Sequence, residues 1–259
     1  MISGAPVNVE RTLGVDAQDV VAARQDGNLY RYAGSGSTSL MPAELIGTQW
    51  TGLKAGFLAD WNNDDALDIV AQWTDGRLSV YPGFAGRGGY GGAPISLGTG
   101  WKDWTLTVGS WRKSDARPSI VGYDPAGRLF HISNPSGTSL GARVQIGTGW
   151  AGLDIAQMDF DKDSNMDLLA KNSAGDLLLY RSNGSGALVQ EAPGIVGTGW
   201  NVVNSYGAIR GFAGVGSTGI LARTTGGDLR YYPVGQNRSW GSPTKVGTGW
   251  GRLRILAPA

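Results

Sequence analysis

The segment Ile146-Gly147-Thr148-Gly149-Trp150 decides the fold of this sequence, because its pattern occurs five times along the chain. Each copy is an apolar residue followed by the tetrad Gly-Thr-Xaa-Trp, and successive copies lie about 50 residues apart, a spacing typical of repeat architectures. The five tetrads end at Trp50, Trp101, Trp150, Trp200 and Trp250. The chain therefore consists of five units of one sequence repeat.

A second pattern keeps the same period and has the form of a β-hairpin. In the second unit it consists of the apolar run Ile69-Val70-Ala71, the turn Asp75-Gly76 and an alternating segment at residues 78–81. Short apolar runs bounded by Gly, Asn or Asp and followed by alternation predict two paired strands. A third strand is predicted before each tetrad, as at residues 93–97, and a fourth after each Trp, as at residues 53–58.

Four strands in about 50 residues are typical of one blade of a β-propeller. A single sheet of this kind leaves both faces uncovered, whereas five sheets arranged radially cover one another. We therefore predict an all-β protein with one domain over residues 1–259, a five-bladed β-propeller with four-stranded antiparallel blades. A β-sandwich, the competing all-β fold, gives no reason for five similar units.

Two regions depart from the regular repeat. Residues 5–9 resemble the strand that precedes a tetrad, and residues 252–256 resemble the strand that follows one. We expect one terminal segment to complete a blade that begins at the other end of the chain; a fragment of a longer array is the alternative. The Gly-rich residues 83–92 are predicted to be the longest irregular loop; a flexible connector is the simpler interpretation, and a ligand-contacting insertion is the alternative.

Composition limits the classes of function. Lys and Arg number 22 against 21 Asp and Glu, and the net charge of +1 argues against binding to nucleic acid or to anionic lipid. The sequence has no Cys, which excludes disulfides, thiolate metal sites and a Cys nucleophile. Residues 1–15 lack a signal-peptide pattern, and no apolar stretch is long enough to span a bilayer, so no membrane insertion is expected.

No catalytic residues are predicted. The single His, His131, occupies a variable position, because the other units carry Arg31, Val80, Leu179 and Tyr231 there. With one His and no Cys, a Ser-His-Asp or Cys-His site is hard to assemble. A pair of carboxylates could serve glycoside hydrolysis, but most clustered acids belong to two loops with another pattern. An enzyme is therefore disfavoured.

Two nine-residue loops, 60–68 in unit two and 159–167 in unit four, carry oxygen-bearing side chains at positions one, three, five and nine. Position seven can add a backbone carbonyl. This alternation suits a hard cation with many oxygen ligands, and Ca²⁺ fits a flexible cage better than Mg²⁺. A solvated Asp/Asn turn is the alternative. The predicted metal ligands are Asp60, Asn62, Asp64, Ala66 and Asp68 in unit two, and Asp159, Asp161, Asp163, Asn165 and Asp167 in unit four.

The loop pattern, followed by an apolar strand and a hairpin, resembles the FG-GAP/VCBS repeat, which forms the blades of integrin-α-type propellers and of many secreted bacterial proteins. The segment at residues 142–150 is similar to repeats attached to secreted actinobacterial hydrolases. The resemblance implies two structural calcium ions, one in each loop, and a secreted, extracellular bacterial protein whose signal peptide is absent from this chain. Units one, three and five lack the ligand pattern and are expected to bind no ion.

The tetrad Trp residues form the second candidate site. A Trp presented by a Gly-rich turn is suited to stack on the apolar face of a sugar ring, and five copies would bind multivalently. The plan also resembles the five-bladed lectin tachylectin-2, whose repeats bind N-acetylated sugars between blades. The predicted ligand contacts are Trp50, Trp101, Trp150, Trp200 and Trp250. The alternative is that each Trp only packs between two blades.

These patterns favour a carbohydrate-binding, lectin-like module, without catalysis, whose partner is a glycan or polysaccharide. Five similar sites suit a repeating glycan better than a single protein partner. A protein-interaction or adhesion propeller of the integrin-α type is the alternative, because units three and five have diverged from the others.

Overall fold

Five antiparallel sheets form a ring in the computed structural model, which describes residues 7–8, 15–84, 87–90 and 93–258. The all-β prediction is confirmed, since the helices in these ranges are two single turns of 3-10 helix, Trp200–Val202 (η1) and Trp250–Arg252 (η2). Within the same ranges no helix is long and apolar enough to cross a membrane.

The described strands are numbered along the chain. They are Val7–Asn8 (β1), Val20–Arg24 (β2), Leu29–Tyr32 (β3), Glu44–Thr48 (β4), Leu53–Ala59 (β5), Asp68–Trp73 (β6), Leu78–Tyr81 (β7), Gly83–Phe84 (β8), Arg87–Tyr90 (β9), Ile95–Ser96 (β10), Thr105–Gly109 (β11), Ser119–Tyr123 (β12), Leu129–Ile132 (β13), Arg143–Gly147 (β14), Asp154–Met158 (β15), Asp167–Lys171 (β16), Leu177–Tyr180 (β17), Gly194–Gly197 (β18), Val203–Arg210 (β19), Thr218–Thr224 (β20), Leu229–Pro233 (β21), Thr244–Gly247 (β22) and Leu253–Pro258 (β23).

Each blade has four strands ordered from the centre of the ring outward. Blades 2 to 5 are β5-β6-β7-β10, β11-β12-β13-β14, β15-β16-β17-β18 and β19-β20-β21-β22. The innermost strand of each follows a tetrad Trp, and the outermost strand leads into the next tetrad. The five-bladed, four-stranded prediction is therefore confirmed, with the four strands in the order that the repeat predicts.

The C-terminal strand closes the ring. It is the innermost strand of blade 1 and pairs antiparallel with β2, with Val21 opposite Leu256 and Ala22 opposite Ile255. This is the closure expected from the surplus strand at residues 252–256. At the other end of the chain, β1 adds to the outer edge of blade 1, where Val7 pairs with Thr48. The rest of the predicted strand at residues 5–9 lies outside the described residues.

The prediction of an irregular connector at residues 83–92 is wrong where the segment is described. Strands β8 and β9 pair as a short hairpin, with Gly83 opposite Tyr90. A Cβ at Gly83 would lie 2.2 Å from the carbonyl oxygen of Leu67, so only glycine fits this close approach. The backbone N–H of Gly83 donates to Asp68 Oδ1 at 2.7 Å, which fixes the start of the hairpin on its own blade.

The core lies between the blades. All six residues of β6, the second strand of blade 2, are buried. Its side chains meet those of the neighbouring blade, as where Val21 and Leu256 of blade 1 pack with Ile69 and Tyr81 of blade 2 around Trp50. Because each such strand is covered on both faces, its apolar run is continuous instead of alternating.

Candidate functional site

The tetrad Trp side chains are buried between blades, and only 2–6% of each is exposed. The ring centroids of Trp50 and Tyr81 lie 4.7 Å apart across a blade junction, and those of Trp150 and Tyr180 lie 4.5 Å apart. The first Gly of the tetrad permits this packing, because a Cβ on Gly47 would lie 2.7 Å from Nε1 of Trp50. A packing role is thus observed, and ligand contact by these rings stays a prediction.

One tetrad Trp also lines an open cavity, which we call the Trp50 cleft. The cavity has a volume of about 380 Å³ and lies where the inner ends of blades 1 and 2 meet. Its lining is largely polar and basic and includes no Asp or Glu from the part of the chain that the structure describes. The side chains that matter below are Arg24, Gln25, Trp50, Thr74, Arg223, Arg252 and Arg254.

An internal comparison of the blades explains why the Trp50 cleft is open. In blades 2 to 5 the second strand carries a long side chain at or next to its last residue. This side chain donates a hydrogen bond to a backbone carbonyl at the start of the inner strand of the next blade. These bridging pairs are Gln72 with Trp104 (2.9 Å), Tyr123 with Leu153 (2.6 Å), Lys171 with Val203 (2.6 Å), and Arg223 with Leu253. Blade 1 has Ala23 at the equivalent position, and its methyl group is too short to bridge to Leu53.

A second cleft, of about 580 Å³, lies between blades 4 and 5. The direction of the inner strands places it on the opposite face of the ring, where these strands end. Asp159, Lys162 and Gln236 contribute polar groups to its lining, and Met166 contributes apolar surface together with the stem of Arg210. The side chain of Arg210 also donates to Met166 Sδ at 3.4 Å.

The two predicted metal loops have the same backbone conformation. Positions four and six are left-handed in both, with φ of 64° and 67° at Asn63 and Asp65, and 60° and 67° at Lys162 and Ser164. Left-handed non-Gly residues are uncommon and occur mainly at Asn and Asp. Their recurrence shows that both loops turn in the same way at these two positions.

The loop of blade 4 gathers three carboxylates. One oxygen each of Asp159, Asp161 and Asp167 lies within 4.8 Å of the others. Asp159 Oδ1 and Asp167 Oδ2 are buried and have no hydrogen-bond partner. Burial, together with the negative charges of Asp161 and Asp163, raises the pKa of Asp167 to about 7. Arg181, 3.6 Å from Asp161, compensates only part of this negative charge because its guanidinium also pairs with Glu191.

The loop of blade 2 is more strongly hydrogen-bonded internally. Asp60 accepts from the backbone N–H of Asp64 at 2.9 Å and of Asp65 at 3.1 Å. Asp68 is fully buried, and burial raises its pKa to about 6. The side-chain oxygen of Asn62 is buried without a partner. Buried side-chain oxygens without a hydrogen-bond partner thus occur in both loops, one in blade 2 and two in blade 4, and such oxygens are suited to hold a cation.

In the blades without the ligand pattern, position nine of the loop carries a different residue or has a different partner. In blade 1, Asp19 forms a buried ion pair with Arg31, Nε to Oδ2 at 2.6 Å. Blades 3 and 5 carry Ser119 and Gly219 instead. Asp68 has no basic partner of this kind among the described residues, since Val80 occupies the place of Arg31. The sequence analysis did not predict the ion pair of Asp19 and Arg31. Its signal in the sequence is Arg31 itself, because the other units carry apolar or aromatic residues at that position.

A Ser-His contact that the sequence did not lead us to expect occurs in blade 3. His131 Nε2 lies 3.0 Å from Ser119 Oγ, and the same nitrogen lies 3.9 Å from a carboxylate oxygen of Asp115. A triad requires the acid on the other ring nitrogen, where it orients the imidazole. Ser119 and His131 are 0% and 1% exposed, so a substrate has no access to them. The contact therefore satisfies buried polar groups.

No family model matches the chain, and no curated protein does. The resemblance to FG-GAP/VCBS repeats therefore stays a prediction. Among solved structures the chain is similar to a lectin of Burkholderia pseudomallei, with 18% identity, a TM-score of 0.52, and coverage of 87% of this chain and 69% of that one. A lectin of Agrocybe aegerita described as recognising non-reducing terminal N-acetylglucosamine is 15% identical, with a TM-score of 0.49 and coverage of 97% and 71%. At 18% identity the likeness to the Burkholderia lectin shows the fold alone.

Proposed function

We propose that this propeller is a non-catalytic, lectin-like module that binds glycans at a blade junction, first of all in the Trp50 cleft. The observation that carries the proposal is that the second strand of blade 1, unlike that of the other four blades, carries no bridging side chain, and an open polar cleft lies at this junction. Arg254 of the inner strand crosses the junction instead, by donating to the carbonyl of Lys54. Its volume of about 380 Å³ lies in the range of small-molecule sites, about 300–1,000 Å³.

The lining of the Trp50 cleft suits a sugar. Hydroxyl and amide groups of Thr74 and Gln25 offer hydrogen bonds to sugar hydroxyls, and Leu53 with part of Trp50 offers apolar surface. Of the five tetrad Trp residues, Trp50 is the one that we propose as a ligand contact, because it alone lines this cleft. We assign the other four to packing between blades. The shared propeller fold of the Burkholderia lectin is compatible with this function.

We propose structural calcium in the loops of blades 2 and 4. Asp159, Asp161 and Asp167 would hold the ion in blade 4, with Asp163 and Asn165 completing the set. Asp60, Asn62, Asp64 and Asp68 would do so in blade 2, with the carbonyl of Ala66 as a further ligand. The orphaned buried oxygens and the raised pKa of Asp68 and Asp167 support a cation in each loop. The ion would neutralise the carboxylates and stiffen the loop. In an extracellular location, both loops would be exposed to dissolved calcium.

A glycan array tests the glycan proposal, with two matched variants as controls. Thr74→Trp places a large side chain at the Trp50 cleft, whereas Thr225→Trp places the same side chain at the equivalent turn of blade 5, outside both clefts. Wild type and Thr225→Trp should bind the same glycans, and Thr74→Trp should lose them. Binding by all three proteins would contradict the site. Failure of wild type to bind any glycan, with a specific protein partner found instead, would favour the adhesion alternative.

A further inference from the structure

The Trp50 cleft concentrates positive charge in a chain whose net charge is only +1. Among the described residues, four arginines line it and no Asp or Glu does. Within the described part of the chain, none of the four forms an ion pair. They belong to Arg24, Arg223, Arg252 and Arg254.

Backbone and side-chain contacts hold three of these arginines in place. Arg223 donates to the carbonyl of Leu253 and, through Nε, to Asn204 Oδ1 at 2.7 Å. Arg254 donates to the carbonyl of Lys54, and the guanidinium of Arg24 lies 4.2 Å above the ring of Tyr30. A guanidinium has five N–H donors, so each of these groups keeps donors for a ligand.

Two acidic residues, Asp26 and Asp75, are neighbours in sequence of the lining residues Gln25 and Thr74, but their carboxylates bond within their own hairpin turns. Asp26 accepts from the backbone N–H of Asn28 at 2.9 Å, and Asp75 pairs with Arg77 at 2.7 Å. Burial lowers the pKa of Arg223 and of Arg254, and the charge of Arg254 lowers that of Arg223 further. The cleft therefore holds several cations close together, and no carboxylate of the described residues lines it to balance them.

We propose that the Trp50 cleft selects the carboxylate-bearing residue of an acidic glycan, a uronic or a sialic acid. This inference rests on the proposed glycan-binding function and names its substrate class. Arginine forks bind carboxylates through two parallel hydrogen bonds, which adds geometric selectivity to the charge attraction. The hydroxyl and amide groups of Thr74 and Gln25 then face the sugar ring. A neutral sugar makes the same polar contacts but leaves the four cations unbalanced.

Titration calorimetry with defined sugars tests the proposal. The probes are trigalacturonic acid and sialyllactose as acidic sugars, lactose as the neutral sugar, and sodium sulfate as a simple anion. We expect at least one acidic sugar to bind about tenfold or more tighter than lactose, since hydrogen bonds to charged groups are worth roughly that factor. Added salt should lower the affinity for the acidic sugar and leave the affinity for lactose unchanged. The tighter of the two acidic sugars identifies the source of the carboxylate.

Three variants locate the binding. Ala23→Gln copies the bridging side chain of Gln72 and should fill the cleft. Arg252→Gln removes one cation at an exposed residue. Each variant should lower the affinity for the acidic sugar about tenfold or more. Arg128→Gln makes the same charge change in the equivalent turn of blade 3, outside the cleft lining, and should bind like wild type. Thermal unfolding of each variant checks that it is folded, and loss of affinity in Arg128→Gln equal to that in Arg252→Gln would overturn the site.

The outcomes separate this inference from the function on which it rests. Equal affinity for lactose and the acidic sugars overturns the charge selectivity and leaves glycan binding standing. Sulfate that binds as tightly as the acidic sugars overturns the sugar selectivity and shows a site for small anions. If none of the probes binds and the glycan array is also blank, both the inference and the proposed function fail.

Discussion

At the scale of single residues, the five blades solve one local problem in different ways. The residue at the start of the second strand points into a buried space beside the third strand. Blade 1 fills that space with the ion pair of Asp19 and Arg31, and blade 3 with the hydrogen bond of Ser119 and His131. Blade 2 leaves Asp68 with backbone donors only. A buried carboxylate without a basic partner is costly, which is the physical reason to place a cation there.

The ion pair of blade 1 predicts a large effect of one substitution. Arg31→Leu, which copies Leu179 of blade 4, should lower the free energy of unfolding by about 3–5 kcal/mol, because it leaves Asp19 buried without its partner. Urea unfolding measures this. The double variant Asp19→Ser with Arg31→His copies blade 3 and should recover more than half of the loss. A loss below about 1 kcal/mol in the single variant would contradict the role of the pair.

The buried His131 predicts a pH dependence with a definite sign. Burial lowers its pKa below the ordinary 6.5, and the neighbouring Arg112 lowers it further, so the folded state binds fewer protons than the unfolded state. Stability is therefore lost as the pH falls below 6.5. Relative to His131→Leu, wild type should lose up to about 1.4 kcal/mol per pH unit between pH 6 and pH 5. Urea unfolding of both proteins at pH 8, 6 and 5 measures the difference, and a difference independent of pH would contradict it.

At the scale of elements, the predicted metal loop of blade 2 also connects two blades. Trp61, in the loop of blade 2, is fully buried, and its Nε1 donates to the carbonyl of Gly137 in blade 3 at 2.9 Å. Arg117 of blade 3 donates to the carbonyl of Asn62 at 3.2 Å. An ion that stiffens this loop would therefore also stabilise the junction between blades 2 and 3.

Calcium binding should follow from the loops of blades 2 and 4 alone. After removal of divalent ions, calorimetry should show about two sites per chain, and calcium at about 100 times its Kd should add about 2.7 kcal/mol of stability per site. Asp68→Asn and Asp167→Asn should each remove one site. Asp75→Asn, in an exposed hairpin turn, should keep both. Absence of binding to wild type, or two sites in both loop variants, would contradict the proposal.

The elements were predictable because their signals are local. The tetrad, the hairpin turns and the apolar runs predicted blade number, strand order and closure by one terminal segment; the structure assigns that closure to the C-terminal strand. The hairpin at residues 83–92 escaped prediction, since Gly-rich sequence lacks the side-chain alternation that marks a strand. The Trp50 cleft escaped as well, because it depends on Ala23 and on arginines 200 or more positions away in the chain that only ring closure brings together.

At the scale of the whole molecule, one strand makes the ring continuous. Strand β23 lies between β2 of its own blade and β5 of the next, and Leu256 is fully buried between them. The same strand carries Arg254 into the Trp50 cleft. Closure of the fold and construction of the proposed site therefore depend on the same residues.

Truncation at the two ends should have unequal effects. Removal of residues 253–259 exposes the inner edge of β2 and the apolar surface around Leu256, and should abolish cooperative unfolding, since a domain is stable by only about 5–15 kcal/mol. Removal of residues 1–9 breaks only the described pairing of Val7 and Asn8 at the outer edge of blade 1 and should lower Tm slightly. Differential scanning calorimetry of both proteins compares them. Equal loss from the two truncations would contradict closure by β23.

The central claim is that the five blades share a scaffold and differ in chemistry, so that the open junction at Ala23 provides the site for an acidic glycan. The stoichiometry of acidic-sugar binding, measured by calorimetry on wild type and Ala23→Gln, tests this claim most directly. We predict one site per chain in wild type and none in Ala23→Gln, whose melting temperature stays at or above that of wild type. Five equivalent sites, or one site that Ala23→Gln leaves intact, would contradict the claim.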